Sequence, residues 1–176
     1  MENLIIEHIN KANNKHFNYG VTWYEDVRGY CKTLAEAYNK PLFQIVAALA
    51  ALSPRNRWDR NKIDLISVLK HGNKAKVGTF NKMKEKAILC LQSKNEYEVR
   101  SILNGQKIQS FFDNIYHIND SSVTVDVWAM RVVGFKDNLT PKRYREIEKA
   151  YQNVASMYGL MPKQVQAITW GVVRNG

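Results

Sequence analysis

Lys107 and Asp126 are the residues whose types and spacing could do covalent chemistry. Lys107 follows the turn residue Gly105 in Ile102-Leu-Asn-Gly-Gln-Lys-Ile-Gln-Ser-Phe-Phe-Asp-Asn-Ile115, where it opens a helix. Asp126 ends the apolar, β-branched run Val123-Thr124-Val125 and stands where the next helix begins, 19 residues after the lysine. A neutral lysine amine is a nucleophile. The positive end of a helix dipole disfavours the ammonium form, and partial burial would act in the same direction. Such an amine can attack a sugar C1′ and hold the sugar as a Schiff base. A fixed carboxylate can stabilise the oxocarbenium-like sugar left by a departing base, or carry a proton. Together they could break an N-glycosidic bond. The plainer explanation of the same residues is a solvated surface lysine and a helix-capping aspartate.

These residues need elements to position them, and the pattern reads as helical. Apolar residues recur at helical spacing from Thr22 to Tyr38 (Trp23, Val27, Tyr30, Leu34, Ala37). Leu42 to Leu52 is apolar nearly all round, which predicts a central buried helix ended by Ser53-Pro54. Further helices are expected over Arg60–Leu69, Asn81–Gln92, Glu96–Leu103 and Lys107–Ile115. Val123–Val125 reads as a short extended piece, with Val127–Val133 helical behind Asp126. Thr140-Pro141 has the form of an N-cap with proline at the first helical position, and Tyr144–Met157 follows. Pro162 opens a last helix that ends near Arg174. The expectation is an all-α single domain spanning the chain, divisible into two helical lobes with the site between them.

Composition bounds the partners. The chain has 176 residues, 45% of them hydrophobic, which is enough for a well-buried core. Its net charge of +10 suits a polyanion, with nucleic acid ahead of an acidic membrane because no strongly amphipathic basic helix stands out. The longest apolar run, Ile45–Leu52, is too short to span a bilayer. The early acids of Met1-Glu-Asn-Leu-Ile-Ile-Glu do not read as a secretory signal. Cys31 and Cys90 cannot by themselves form a zinc or iron–sulfur cage, and His8, His16, His71 and His117 lack ligand spacing. The expectation is a monomer in a reducing cytoplasm, nucleoid-associated if bacterial or phage, with no catalytic metal.

The Gly-x-Lys turn and the Val125-Asp126-Val127 junction together resemble the helix-hairpin-helix DNA glycosylase superfamily. The 19-residue interval is closest to its 8-oxoguanine glycosylase/AP lyase branch. The similarity runs from about Leu42 to Arg174. Leu52-Ser-Pro-Arg-Asn-Arg-Trp-Asp-Arg-Asn-Lys62 resembles the family loop that fills the duplex gap left by a flipped base, which makes Arg55, Asn56 and Arg57 the gap-filling candidates. Gln166-Ala-Ile-Thr-Trp170 resembles the base-pocket segment, and a Gln and an aromatic four apart share one helix face. Phe111, four after Lys107, would join that pocket, although core packing explains Phe111 and Trp170 equally well. Gly105, Gln106 and Arg131 would hold the DNA backbone. No cofactor is expected, although such hairpins often carry a structural monovalent cation.

The chain departs from the family pattern in places. Leu103 stands at the hairpin's first glycine position, and Trp128 stands where histidine is common two residues after the aspartate. The four-cysteine tail and the N-terminal β domain of larger relatives are absent from this sequence. The resemblance therefore implies a minimal all-helical enzyme. It would excise a damaged or modified base from double-stranded DNA, with an oxidised purine such as 8-oxoguanine the first candidate, and cleave the abasic site by β-elimination. Two alternatives stand beside it. One is a non-catalytic DNA-binding module on the same scaffold. The other is an enzyme of this fold acting on modified nucleotides or hypermodified phage bases.

Overall fold

A computed structural model describes residues 1–175. Among them are ten α-helices and no strand: α1 (Glu2–Lys11), α2 (Asn14–Ala37), α3 (Leu42–Ala51), α4 (Trp58–His71), α5 (Asn81–Leu91), α6 (Glu96–Ile102), α7 (Gln106–Tyr116), α8 (Val127–Val132), α9 (Pro141–Tyr158) and α10 (Pro162–Asn175). The protein is all-α. The chain groups into two compact units, Met1–Val27 with Asp113–Gly176, and Arg28–Phe112. The boundaries fall within helices α2 and α7, so each of these helices contributes to both units.

The second unit is built on α3. Every residue from Gln44 to Ala51 is buried, as its apolar circumference requires. Helices α4, α5 and α6 pack against it. Leu65, Val68, Ala87, Cys90, Leu91, Val99 and Leu103 are buried in the same unit. Burial pushes the Cys31 and Cys90 thiols up to about 12, which makes both inert core residues at neutral pH.

The first unit has a core of Ile5, Ile9, Val123, Val125, Ala129, Val132, Tyr144, Ile147, Tyr151, Val154 and Val165. Ile5 and Ile9 explain a helix that the periodicity reading passed over. They are the two buried positions of α1, four apart, and the rest of that helix is largely polar. Helix α2 also begins eight residues before the expected Thr22, at a local cap in which the Asn13 side chain accepts from the His16 amide (3.0 Å). Gly20 lets α2 and α10 approach closely, because a Cβ there would meet Ile168 at 2.4 Å. Helix α9 starts as its sequence predicts, with Thr140 accepting from the Arg143 amide and Pro141 at the first position. No helix among the described residues is long and apolar enough to cross a membrane.

Candidate functional site

Asp126 is held by an unusual arm of the first unit. Val123–Val125 belongs to no helix or sheet among the described residues, so its polar backbone needs other partners; one contact is local, the Asp126 amide donating to the Thr124 carbonyl (3.1 Å). Side chains of α7 and α9 supply them. The Tyr144 hydroxyl donates to the Val123 carbonyl (2.6 Å) and accepts from the Val125 amide (3.1 Å). A Glu148 carboxylate oxygen accepts from the Val123 amide (2.9 Å). The Asn114 carboxamide oxygen accepts from both the amide and the hydroxyl of Thr124 (3.2 and 2.8 Å). Its nitrogen donates to the Ser122 carbonyl and to Asp120. Burial, with the nearby Asp120 charge, raises the Glu148 carboxyl above its ordinary range, and the bond from Val123 opposes this.

The arm delivers Asp126 to the N-cap of α8, where its Oδ1 accepts from the Ala129 amide (2.8 Å). The capping explanation weighed from the sequence is therefore true of this residue, and the carboxylate is only half-buried. Around the arm lie Tyr24 and Tyr151, both fully buried phenols whose hydroxyls burial pushes well above the usual tyrosine value. The Asp126 charge acts in the same direction on both. The end of α7 is fixed by Lys163, 5% exposed, which donates to the carbonyls of Asn114 (3.0 Å), His117 (2.8 Å) and Ile118 (3.1 Å). A cation there complements the negative end of the helix dipole.

Gln166 and Trp170 share the face of α10 that the sequence predicts. Gln166 is 4% exposed, and its carboxamide oxygen accepts from the Tyr24 hydroxyl (2.9 Å). That oxygen is therefore engaged inside the unit. Trp170 is half-buried and meets Trp23 edge to face at 5.4 Å. Its other ring contact is the Arg174 guanidinium, 4.7 Å from the ring centroid. Arg131 lies exposed over Trp128 at 4.5 Å.

Lys107 belongs to the other unit. Helices α6 and α7 form a helix–turn–helix joined by Leu103-Asn104-Gly105. Asn95 caps α6 by accepting from the Glu98 amide (3.0 Å). Buried Leu103 anchors the turn, and Gly105 makes it with φ +105°. A Cβ at Gly105 would meet nothing, so the need for glycine there is conformational alone. Gln109 returns its carboxamide nitrogen to the carbonyls of Leu103 (2.7 Å) and Arg100 (3.2 Å). Its own amide bonds the Gly105 carbonyl (3.2 Å). The Leu103, Arg100 and Gly105 carbonyls of this turn thus each accept a hydrogen bond.

Lys107 is the second residue of α7 and is exposed, contrary to the partial burial expected of it. Gln106 and Phe111 on the same helix are half-buried. The first turn of a helix cannot bury a side chain unless another element covers it, and sequence spacing does not reveal that cover.

The basic loop after α3 is ordered by a residue the motif reading passed over. Asp64 is fully buried. It accepts from the Asn56 carboxamide (2.8 Å), Arg60 Nε (2.8 Å) and the Gly78 amide (2.9 Å). Asn56 also donates to the Leu52 carbonyl (3.0 Å), so its side chain turns into the loop. Arg55, at φ +48°, and Arg57 are exposed. A carboxylate amid the apolar residues of Ile63-Asp-Leu-Ile66 was the available signal.

A search of curated proteins and a search of solved structures each return no match. A family model does match, over residues 1–176: the family of unknown function DUF7178. The chain belongs to that family.

Proposed function

We propose that the protein is a DNA base-excision enzyme with a helix-hairpin-helix glycosylase-like fold. The observation that carries this reading is the pairing of two local geometries at the spacing of the sequence motif. A glycine-turned helix–turn–helix exposes Lys107 in the first turn of α7. Nineteen residues later, a buried arm presents Asp126 at a helix start. The net charge of +10 supports DNA as the partner.

In the proposed reaction the Lys107 amine gives up a proton to solvent and attacks the sugar C1′, and the C1′–N bond breaks. The base leaves with its bonding electron pair and takes up a proton. Asp126 stabilises the positive charge that develops on the sugar and assists proton transfer. The amine-bound sugar then opens, the C1′–O4′ bond breaking as O4′ takes up a proton, to give a Schiff base; loss of a C2′ proton expels the 3′ phosphate by β-elimination, and hydrolysis frees the lysine. Arg55 and Arg57 are the exposed candidates for the duplex gap, with Asn56 bracing the loop behind them. Gly105, Gln106 and Arg131 hold the backbone. Gln166, Trp170 and Phe111 remain the pocket candidates, with Gln166 offering its amide nitrogen while Tyr24 occupies its oxygen.

The test is borohydride trapping on duplexes carrying 8-oxoguanine, uracil, thymine glycol, hydroxymethyluracil or an abasic site. A covalent adduct that disappears in Lys107→Gln is expected. Asp126→Asn should slow base release by orders of magnitude while binding stays nearly intact. Base release at full rate in Lys107→Gln would replace the amine with an activated water. No adduct and no alkali-labile site on any duplex would sink the excision reading. The exposure of Lys107 and the engagement of Gln166 favour, as the second reading, a DNA-binding module without turnover on the same scaffold. Activity on free modified nucleotides, with none on duplexes, would instead mark a nucleotide enzyme of this fold.

A further inference from the structure

Helices α8 and α10 pack against each other in the first unit and carry two arginines and two tryptophans in one stack. Arg131 lies over Trp128 at 4.5 Å. Arg174 lies 4.7 Å from the Trp170 centroid and 5.9 Å from that of Trp128. Both arginines are exposed, both tryptophans are half-buried, and among the described residues neither arginine makes an ion pair with an acidic side chain. Unpaired surface arginines are ordinarily mobile, and ordering them on a ligand costs entropy.

Here each guanidinium already lies over an indole ring. Stacking uses the face of a guanidinium and leaves its in-plane N–H donors free, in the fork geometry that matches a phosphate. The Trp170 indole N–H is buried with no hydrogen-bond partner among the described residues.

We propose that Arg131 and Arg174, stacked on Trp128 and Trp170, form a binding site for a backbone phosphate of a DNA strand. The site rests on the nucleic-acid part of the functional reading and not on base excision, so it survives if Lys107 forms no adduct.

The experiment is fluorescence anisotropy of a short labelled DNA duplex with the full chain, titrated between about 50 and 200 mM salt. Wild type is compared with Arg131→Gln/Arg174→Gln, with Arg131→Lys/Arg174→Lys, and with Lys142→Gln/Lys149→Gln as an equal loss of exposed charge. The glutamine pair should weaken binding about tenfold or more, as expected for charge-assisted bonds, and should lower the salt slope by about one. The lysine pair should keep most of the salt slope and still lose affinity, because charge without the planar fork is not equivalent. Circular dichroism establishes that each variant is folded; if the glutamine pair is not, the lysine pair alone decides. Equal effects from the glutamine pair and the control would overturn the site. So would full affinity in the lysine pair, or arginine-dependent binding of a nucleoside triphosphate without binding of the duplex.

Discussion

The Asp126 arm and the Lys107 hairpin are both short connections that lead into a helix, yet they are held in opposite ways. The arm is buried along Val123–Val125, and side chains brought from distant parts of the sequence satisfy its backbone. The hairpin is held locally, by a glycine at positive φ and by Gln109 reaching back a few residues. A buried arm can fix a carboxylate rigidly, because displacing it would strand several polar groups away from water. An exposed hairpin leaves its lysine solvated. The difference suits the roles proposed for them: charge stabilisation needs a preorganised group, whereas a covalent nucleophile must reach its target and then move with the sugar.

Breaking the arm should have the largest effect. Tyr144→Phe removes the hydroxyl shared by Val123 and Val125 and leaves both backbone groups buried. A loss of about 1–3 kcal/mol in urea unfolding is expected, with slower base release if Asp126 shifts. A loss below about 0.5 kcal/mol would mean that apolar packing alone holds the arm.

Gly105→Ala probes the hairpin by conformation only, since the added methyl has open space. A cost of about 1–2 kcal/mol is expected from the φ of +105°. An unchanged midpoint would show that the turn re-forms in another geometry.

Glu148→Gln sharpens the comparison through pH. The raised Glu148 carboxyl keeps its proton to higher pH in the folded chain than in the unfolded one. Its contribution to stability is therefore full below the ordinary glutamate range and is lost as pH rises through the raised value. The variant's stability relative to wild type should improve between about pH 4 and pH 7. A constant difference would place the raised value in doubt. The smallest effect is expected at Lys107→Gln, within about 0.5 kcal/mol in unfolding, because the side chain is exposed. A larger loss would give the lysine a structural role.

Legibility from the sequence followed the range of the interactions. Helix α3 was readable because an apolar circumference has only one place to go. The start of α9 was readable because Thr140 and Pro141 act within one turn, and so was the Gly105 turn. Helix α1 was not, because Ile5 and Ile9 are too few to make a periodic signal and matter only once α9 and α10 pack on them. At the candidate site, the N-terminal position of Lys107 and the cap position of Asp126 could both be read, and the exposure of Lys107 could not.

The sequence by itself determined the helical class, the basic character, the turn at Gly105 and the helix start at Asp126, because composition, periodicity and caps act over a few residues. Tertiary structure alone decided that Tyr144, Glu148 and Asn114 replace a sheet around Val123–Val125. It also decided that Asp64 joins Gly78 to the basic loop, and that Arg174 comes near Trp128 as well as its own helix neighbour Trp170. These pairings join residues far apart along the chain or on different helices, and only packing brings their side chains together.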